Sequence, residues 1–258
     1  MSTGSSSTLQ GHESPWPSAV DWYDLTLPTP AQNLALDEAL LHSVDSDPSR
    51  GILRTWSPDS HFVVVGRSNQ VETEVNTEQC QAEGIPVYRR SSGGGAVVVG
   101  PGCLAFALAL PLSADLRASG VNAVTQAVMQ RVARKLETHL PGIEVCGTSD
   151  LVISGKKFSG NSQRWLRQSF LHHGTLLHGF DLTVIERLLR SPSRQPEYRS
   201  GRSHGDFVTN IAVPPADLLA SLVGAWNGVS AHCPDEIRLH AEQLAHSRYE
   251  QRSWNWER

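Results

Sequence analysis

Cysteine is scarce in this chain of 258 residues: Cys80, Cys103, Cys146 and Cys233 stand far apart and form no CxxC pair. That excludes a zinc ribbon or dithiol motif and argues against a disulfide framework in so long a chain. No run of about 18 apolar residues offers a membrane span, and no basic-then-apolar leader opens the sequence. Positive charge is not in excess either: 22 Lys and Arg stand against 26 Asp and Glu, a formal net charge of -4. The field that draws a protein to nucleic acid or an anionic bilayer is therefore missing. These absences leave a soluble, cytoplasmic protein able to bury about 70–75% of its unfolded surface.

What is present mixes strand and helix signals. Residues 1–18 are rich in Ser, Gly and Pro and read as a disordered tail, followed by a single domain over 19–258. AVDWYDLTL reads as a strand, and AQNLALDEALLHSVD as a helix with one apolar face. GILRTWS and HFVVVGR are strands joined by SPDS, TEVNTEQCQAEG is a short helix and IPVYRR a strand. GAVVVG and CLAFALALPL flank the turn-former PG as a hairpin. GVNAVTQAVMQRVARKLETHL is a long helix, LVISGKKFSGNSQR strand–turn–strand, and SFLHHGTLLHGF a strand. DLTVIERLLR, PADLLASLVGAWNGV and DEIRLHAEQLAHSRYEQRSWNWER are helices. Mixed order with hairpins predicts an α+β fold, a mixed and largely antiparallel sheet flanked by helices.

RRSSGGGAVVVG, residues 89–100, is the densest signal. Gly93, Gly94 and Gly95 let the backbone approach a ligand, and successive N–H groups in such a turn form an anion-binding hollow. Arg89 and Arg90 add forked cations suited to phosphate or carboxylate, although strand alternation lets only one of them face the site. The spacing is neither GxGxxG nor a P-loop, and a glycine-rich bend beside two solvated arginines is the bland alternative. In SDLVISGKKFSGNSQR, Lys156 and Lys157 sit in a turn between Gly155 and Gly160. A lysine beside a phosphoryl group stabilises charge in an in-line attack, and Asp150 can hold a magnesium ion. A solvated hairpin accounts for the same residues. In HHGTLLHG, His172 and His173 cannot both face inward, and Gly174 lets the backbone come close to a neighbour.

In order along the chain, NLALDEALL (33–41), VVVGRSNQVETEVN (63–76), RRSSGGGAV (89–97), SDLVISGKKFSGNSQR (149–164), HHGTLL (172–177) and SWNWE (253–257) resemble the lipoate–protein ligase A family. That class also holds octanoyltransferases and biotin–protein ligases. The resemblance implies a biotin/lipoyl ligase-like catalytic domain that joins lipoate or octanoate to ATP with Mg2+, releasing pyrophosphate. The acyl group then passes to a lysine of a lipoyl domain, on a 2-oxoacid dehydrogenase subunit or a glycine cleavage H protein. Carried over, Arg89, Gly94, Gly95, Ala96, Val97, Asp150 and Lys157 hold the nucleotide, with Asp150 the metal ligand. Arg89, Gly93, Lys157, Ser159, Gly160, His173 and Gly174 hold the acyl group, and Lys157 is catalytic.

Departures from that pattern open alternatives. Val98, Val99 and Gly100 replace an aromatic-His-Asp continuation, and Thr148-Ser149-Asp150 replaces Arg-Asn-Asp. The small C-terminal accessory domain of many ligases is not expected here, which points to a separate accessory subunit or to an octanoyltransferase. In a transferase, Cys146 is the alternative nucleophile, carrying octanoyl from acyl carrier protein without ATP. Cys103 lies in an apolar run that quiets a thiol. A lipoyl-domain-binding homologue without activity is a third reading, and biotin ligation a weaker fourth. Arg190, Arg194, Arg199 and Arg202 make the loop 191–206 a candidate lid.

Overall fold

The computed structural model describes residues 14–192 and 195–257. Eight strands form the main sheet: β1 (Val20–Asp24), β2 (Ile52–Trp56), β6 (Cys103–Pro111), β7 (Glu144–Cys146), β8 (Asp150–Ile153), β9 (Lys156–Trp165), β10 (Ser169–Leu177) and β11 (Gly228–Ser230). Their spatial order is β11-β1-β2-β6-β10-β9-β8-β7. β1 runs parallel to β11 and to β2, and the other pairings are antiparallel. A second, three-stranded sheet places β3 (Phe62–Val65) between β4 (Val87–Arg89) and β5 (Val97–Val99). The α+β class and the largely antiparallel sheet expected from the sequence are both present.

Helix α1 (Pro30–Ser46) starts on a capping box, with Thr29 Oγ1 accepting from the Gln32 N–H while Gln32 accepts from the Thr29 N–H. It lies against β2, β6, β10 and α8 (Asp235–Leu244). Alternation along β6 explains the fit. Ala105, Ala107 and Ala109 join the clusters under α1, and their small side chains let the helix come close. Leu104, Phe106, Leu108 and Leu110 join the clusters of α4 (Ala114–Leu136) and α7 (Pro215–Ala225). Glu38 on α1 is fully buried and accepts from Arg164, from Arg248 and from the Tyr249 hydroxyl at 2.7 Å. It ties β9 and the turn after α8 to the helix.

Several expected elements are corrected. PG does turn the chain, the Cys103 N–H donating to the Gly100 carbonyl at 3.1 Å, but β5 and β6 lie in different sheets, as do β2 and β3 on either side of SPDS. Turn chemistry sets a local reversal and leaves the pairing partner open. TEVNTEQCQAEG breaks into α2 (Val71–Glu74) and α3 (Thr77–Glu83), because the Asn76 side chain caps the second. α4 starts upstream of the expected helix and bends at Gly120, whose φ is 81°. The expected last helix divides into α8, a π turn at Ala245–Tyr249 and α9 (Arg252–Trp256). α5 (Leu182–Leu188) and the short α6 (His204–Phe207) complete the set. Of the expected tail, residues 1–13 lie outside the described residues, and Trp16 packs edge-on 5.6 Å from Trp226. Among the described residues no helix is long and apolar enough to cross a membrane.

Candidate active site

A cavity of about 500 Å3 lies between the two sheets, α1 and the segment 195–208. Leu34, Trp56, Phe62, Val64, Val97 and Ala105 give it an apolar wall. Its polar lining is Arg90, Gly94 and Gly95, then Asp37 and His173, then Ser149, Asp150, Lys157 and Asn161.

The β8–β9 hairpin positions the lysine. Lys157 Nζ is 2.8 Å from Asp150 Oδ1, while Asp150 Oδ2 accepts the Tyr198 hydroxyl at 2.7 Å. A Cβ at Gly160 would sit 2.8 Å from both Cε and Nζ of Lys157, so only glycine leaves room for the amine to lie back across its own strand. At Gly174 on β10 a Cβ would meet Asn161 Oδ1 at 1.9 Å, so the close approach expected there is to β9 itself.

The glycine turn is stapled by Arg90. Its Nε donates to Ser92 Oγ at 3.0 Å, and its Nη2 to the Gly93 and Gly95 carbonyls at 2.5 and 2.9 Å. Burial lowers this guanidinium to about 10, which leaves it cationic at neutral pH. Gly94 takes φ 87°. Among the described residues the amides of Gly94 and Gly95 donate to no protein group, which suits an anion-binding hollow.

Behind the turn runs a buried brace. Ser92 Oγ is 2.6 Å from His173 Nε2, His173 Nδ1 is 3.2 Å from Asp37 Oδ2, and Asp37 Oδ1 is 2.7 Å from Arg54 Nη1. The Asp37 carboxylate can only accept, which places the imidazole proton on Nδ1 and leaves Nε2 to accept from the Ser92 hydroxyl, whose oxygen also accepts from Arg90. The donor order is that of a nucleophilic triad, but Ser92 is 1% exposed and does not line the cavity. Its neighbour His172 points to the other face, with Nε2 3.1 Å from Met129 Sδ, and burial together with His173 lowers it to about 3.

Lys157, Gly94, Gly95, Ala96, Val97, Asp150, Ser159, Gly160, His173 and Gly174 all line this one cavity. Three expected residues do not. Arg89 is fully buried and turned away, donating to the carbonyls of Gly66, Asn69, Trp254 and Asn255. Arg90 takes the cavity-facing position instead. The Gly93 carbonyl is drawn to Arg90 and Ser162. Cys146 lies outside the lining on β7, and burial with Glu144 and Asp150 pushes its thiol up. Cys103 is buried and pushed up to about 12. Asp150 has both oxygens engaged, Oδ1 by Lys157 and Oδ2 by Tyr198, and among the described residues no group of three His, Cys, Asp or Glu stands together to hold an ion by itself.

Asp37, Asn161 and Tyr198 are additions that the sequence did not single out. A carboxylate one residue before the buried Glu38 gives no outward signal, and Tyr198 meets Asp150 only through folding across 48 positions. The basic loop spends its arginines on protein groups. Arg199 and Arg202 lie over Phe207 and donate to each other's carbonyls, Arg190 donates to Val75, and Arg194 lies outside the described residues.

Residues 29–216 match the family described as the lipoyl protein ligase A/B catalytic domain. A putative lipoate-protein ligase A of Aeropyrum pernix is 37% identical over 164 residues, covering 62% of this chain and 58% of its own. The octanoyltransferase LipM of Brevibacillus brevis is 27% identical over 267 residues, covering 89% and 96%. The matches to three lipoate-protein ligases span 58%, 48% and 46% of those proteins, about half their length. Among solved structures, a bipartite lipoate protein ligase described with its E2 lipoyl domain, from Thermoplasma acidophilum, superposes with a TM-score of 0.80 at 22% identity, covering 92% of this chain and 96% of that one. A lipoate-protein ligase A bound with ATP gives 0.77 at 22% identity, covering 92% and 98%. At such identity the likeness shows the fold.

Proposed function

This chain belongs to the lipoyl protein ligase A/B catalytic domain family, and from that premise we propose that it is an ATP-dependent lipoate–protein ligase. One observation carries the reading: the Lys157 ammonium and the free amides of the glycine turn line the same apolar-walled cavity, in which no cysteine takes part. The hydrocarbon of lipoate or octanoate lies along Trp56, Phe62 and Val64, each buried CH2 contributing about 0.8 kcal/mol. The acid carboxylate attacks the α-phosphorus of ATP, a P–O bond forms, the bond to the β-phosphate oxygen breaks and pyrophosphate leaves. Lys157 neutralises the two anions as they meet, and the turn amides hold phosphate oxygens without moving. In the second step the acceptor lysine attacks the acyl carbon, AMP departs, and Lys157 stabilises the carbonyl oxyanion.

The acceptor is a lipoyl domain, as the pairing of the Thermoplasma ligase with its E2 lipoyl domain supports. Its carriers are a 2-oxoacid dehydrogenase subunit or a glycine cleavage H protein in the cytoplasm. That relative's bipartite build supports a separate accessory subunit here too.

Octanoyl transfer is the second reading, favoured by the match over nearly all of LipM. Mass spectrometry of a lipoyl domain incubated with lipoate and ATP, or with octanoyl-carrier protein alone, separates the two. The expected mass gain appears only with ATP. Cys146→Ser is expected to keep the ATP-dependent rate within about twofold, as a residue off the reacting atoms should. Modification from carrier protein that disappears with Cys146→Ser would establish the transferase instead.

Gly160→Ala tests the room left for the amine. The added methyl pushes Lys157 from its place, and a misplacement of that kind lowers kcat/KM about 10²-fold with the fold intact. Steady-state kinetics together with a melting curve read both.

A further inference from the structure

We propose that Tyr198 is a positioning residue for Lys157, acting through Asp150. The phenol donates to Asp150 Oδ2 at 2.7 Å, and Lys157 Nζ stands 2.8 Å from Oδ1. An ammonium has three N–H donors. One goes to Oδ1. With Oδ2 held by the phenol, the carboxylate cannot turn its second oxygen onto the ammonium. Two donors then remain for the cavity, where the ligase reading places an acyl carboxylate and a phosphate.

The phenol's own place is built rather than incidental. Tyr198 sits on the single turn Glu197–Arg199, and its carbonyl accepts from Arg202 Nη2 at 2.7 Å. The other arm of the same guanidinium donates to the Gly155 carbonyl at 2.8 Å, on the hairpin that carries Lys157. The ring packs 5.1 Å from Phe207, and a Cβ at Gly147 would touch its Cε1 at 3.5 Å. Burial, and then the charge of Asp150, keep the phenol protonated and donating. The segment 195–208 bridges the Lys157 backbone at Val208, and through Tyr198 and the Asp150 carboxylate it also reaches the amine.

Tyr198→Phe keeps the ring and removes the hydroxyl. The rate constant kcat for acid-dependent ATP–pyrophosphate exchange is expected to fall about tenfold, with KM for ATP and for the acid little changed. In an Asp150→Ala background the same substitution is expected to have no further effect, because both act on one link. A crystal structure of Tyr198→Phe is expected to show Asp150 Oδ2 turned toward Lys157 Nζ. An unchanged kcat, an equal loss in the Asp150→Ala background, or an unmoved Asp150–Lys157 pair would overturn the proposal. The kinetic arm rests on the ligase reading. A wild-type protein without any exchange would defeat that reading, while the crystallographic comparison still decides the role of Tyr198.

Discussion

Lys157→Met is expected to lower the rate of acyl-adenylate formation about 10²–10³-fold, the usual loss when one preorganised donor to a developing charge is removed. Methionine is one atom shorter but keeps the apolar stem, and Asp150 keeps the Tyr198 hydroxyl and an edge on the cavity, so the fold should hold with at most a modest drop in melting temperature. Lys157→Arg is expected to recover little. A planar guanidinium is wider than an ammonium and cannot lie where a Cβ on Gly160 would already collide. Acid-dependent pyrophosphate exchange, read beside thermal denaturation, checks both variants. A Lys157→Met protein with near-normal exchange would remove the lysine from the reaction.

Arg54→Met is expected to cost about 3–5 kcal/mol of stability, because it leaves the Asp37 carboxylate in the interior without its cation. Arg54 is fully buried and Asp37 is 3% exposed, so the little carboxylate surface that reaches the cavity does not make up for the lost partner. The guanidinium also satisfies the carbonyls of Leu25 and Asn33, and these would be left open. The double variant Asp37→Leu with Arg54→Met removes both charges and should recover much of the loss. Denaturant unfolding of the three variants measures it. A single-variant loss under about 1 kcal/mol would show that this pair is not desolvated.

The strands were legible because their period of two survives in the sequence. CLAFALAL alternates alanine with bulk, and the structure turns the alanines toward α1 and the larger residues toward α4. HHGTLL was legible for the same reason, one histidine on each face. Pairing was not legible: PG announces a reversal, while the apolar runs on either side carry no mark of which sheet they join. At RRSSGGG the rule that one arginine faces in was right and the choice between them was not. Arg89 shares the face of Val87 and ends among carbonyls, whereas Arg90, the first residue past β4, turns under the glycines. Nothing adjacent in the chain distinguishes them, because the carbonyls that seat Arg89 come from Gly66 and Asn69, 23 and 20 positions before it, and from Trp254 and Asn255, 165 and 166 positions after it. Tyr198 escaped notice for a similar reason, since a tyrosine in a basic loop reads as surface until its partner is known.

That distant seat for Arg89 bears on how the protein is made. At roughly 5–20 residues per second, synthesis needs on the order of 10–30 s to bring Trp254 out after Arg89. Through that interval Arg89 has within reach the carbonyls of Gly66, Arg67 and Asn69, and the C-terminal part of its seat comes last. Glu38 waits longer still, for Arg248 and Tyr249, so the buried polar anchors of both sheets close only once the C-terminal segment arrives.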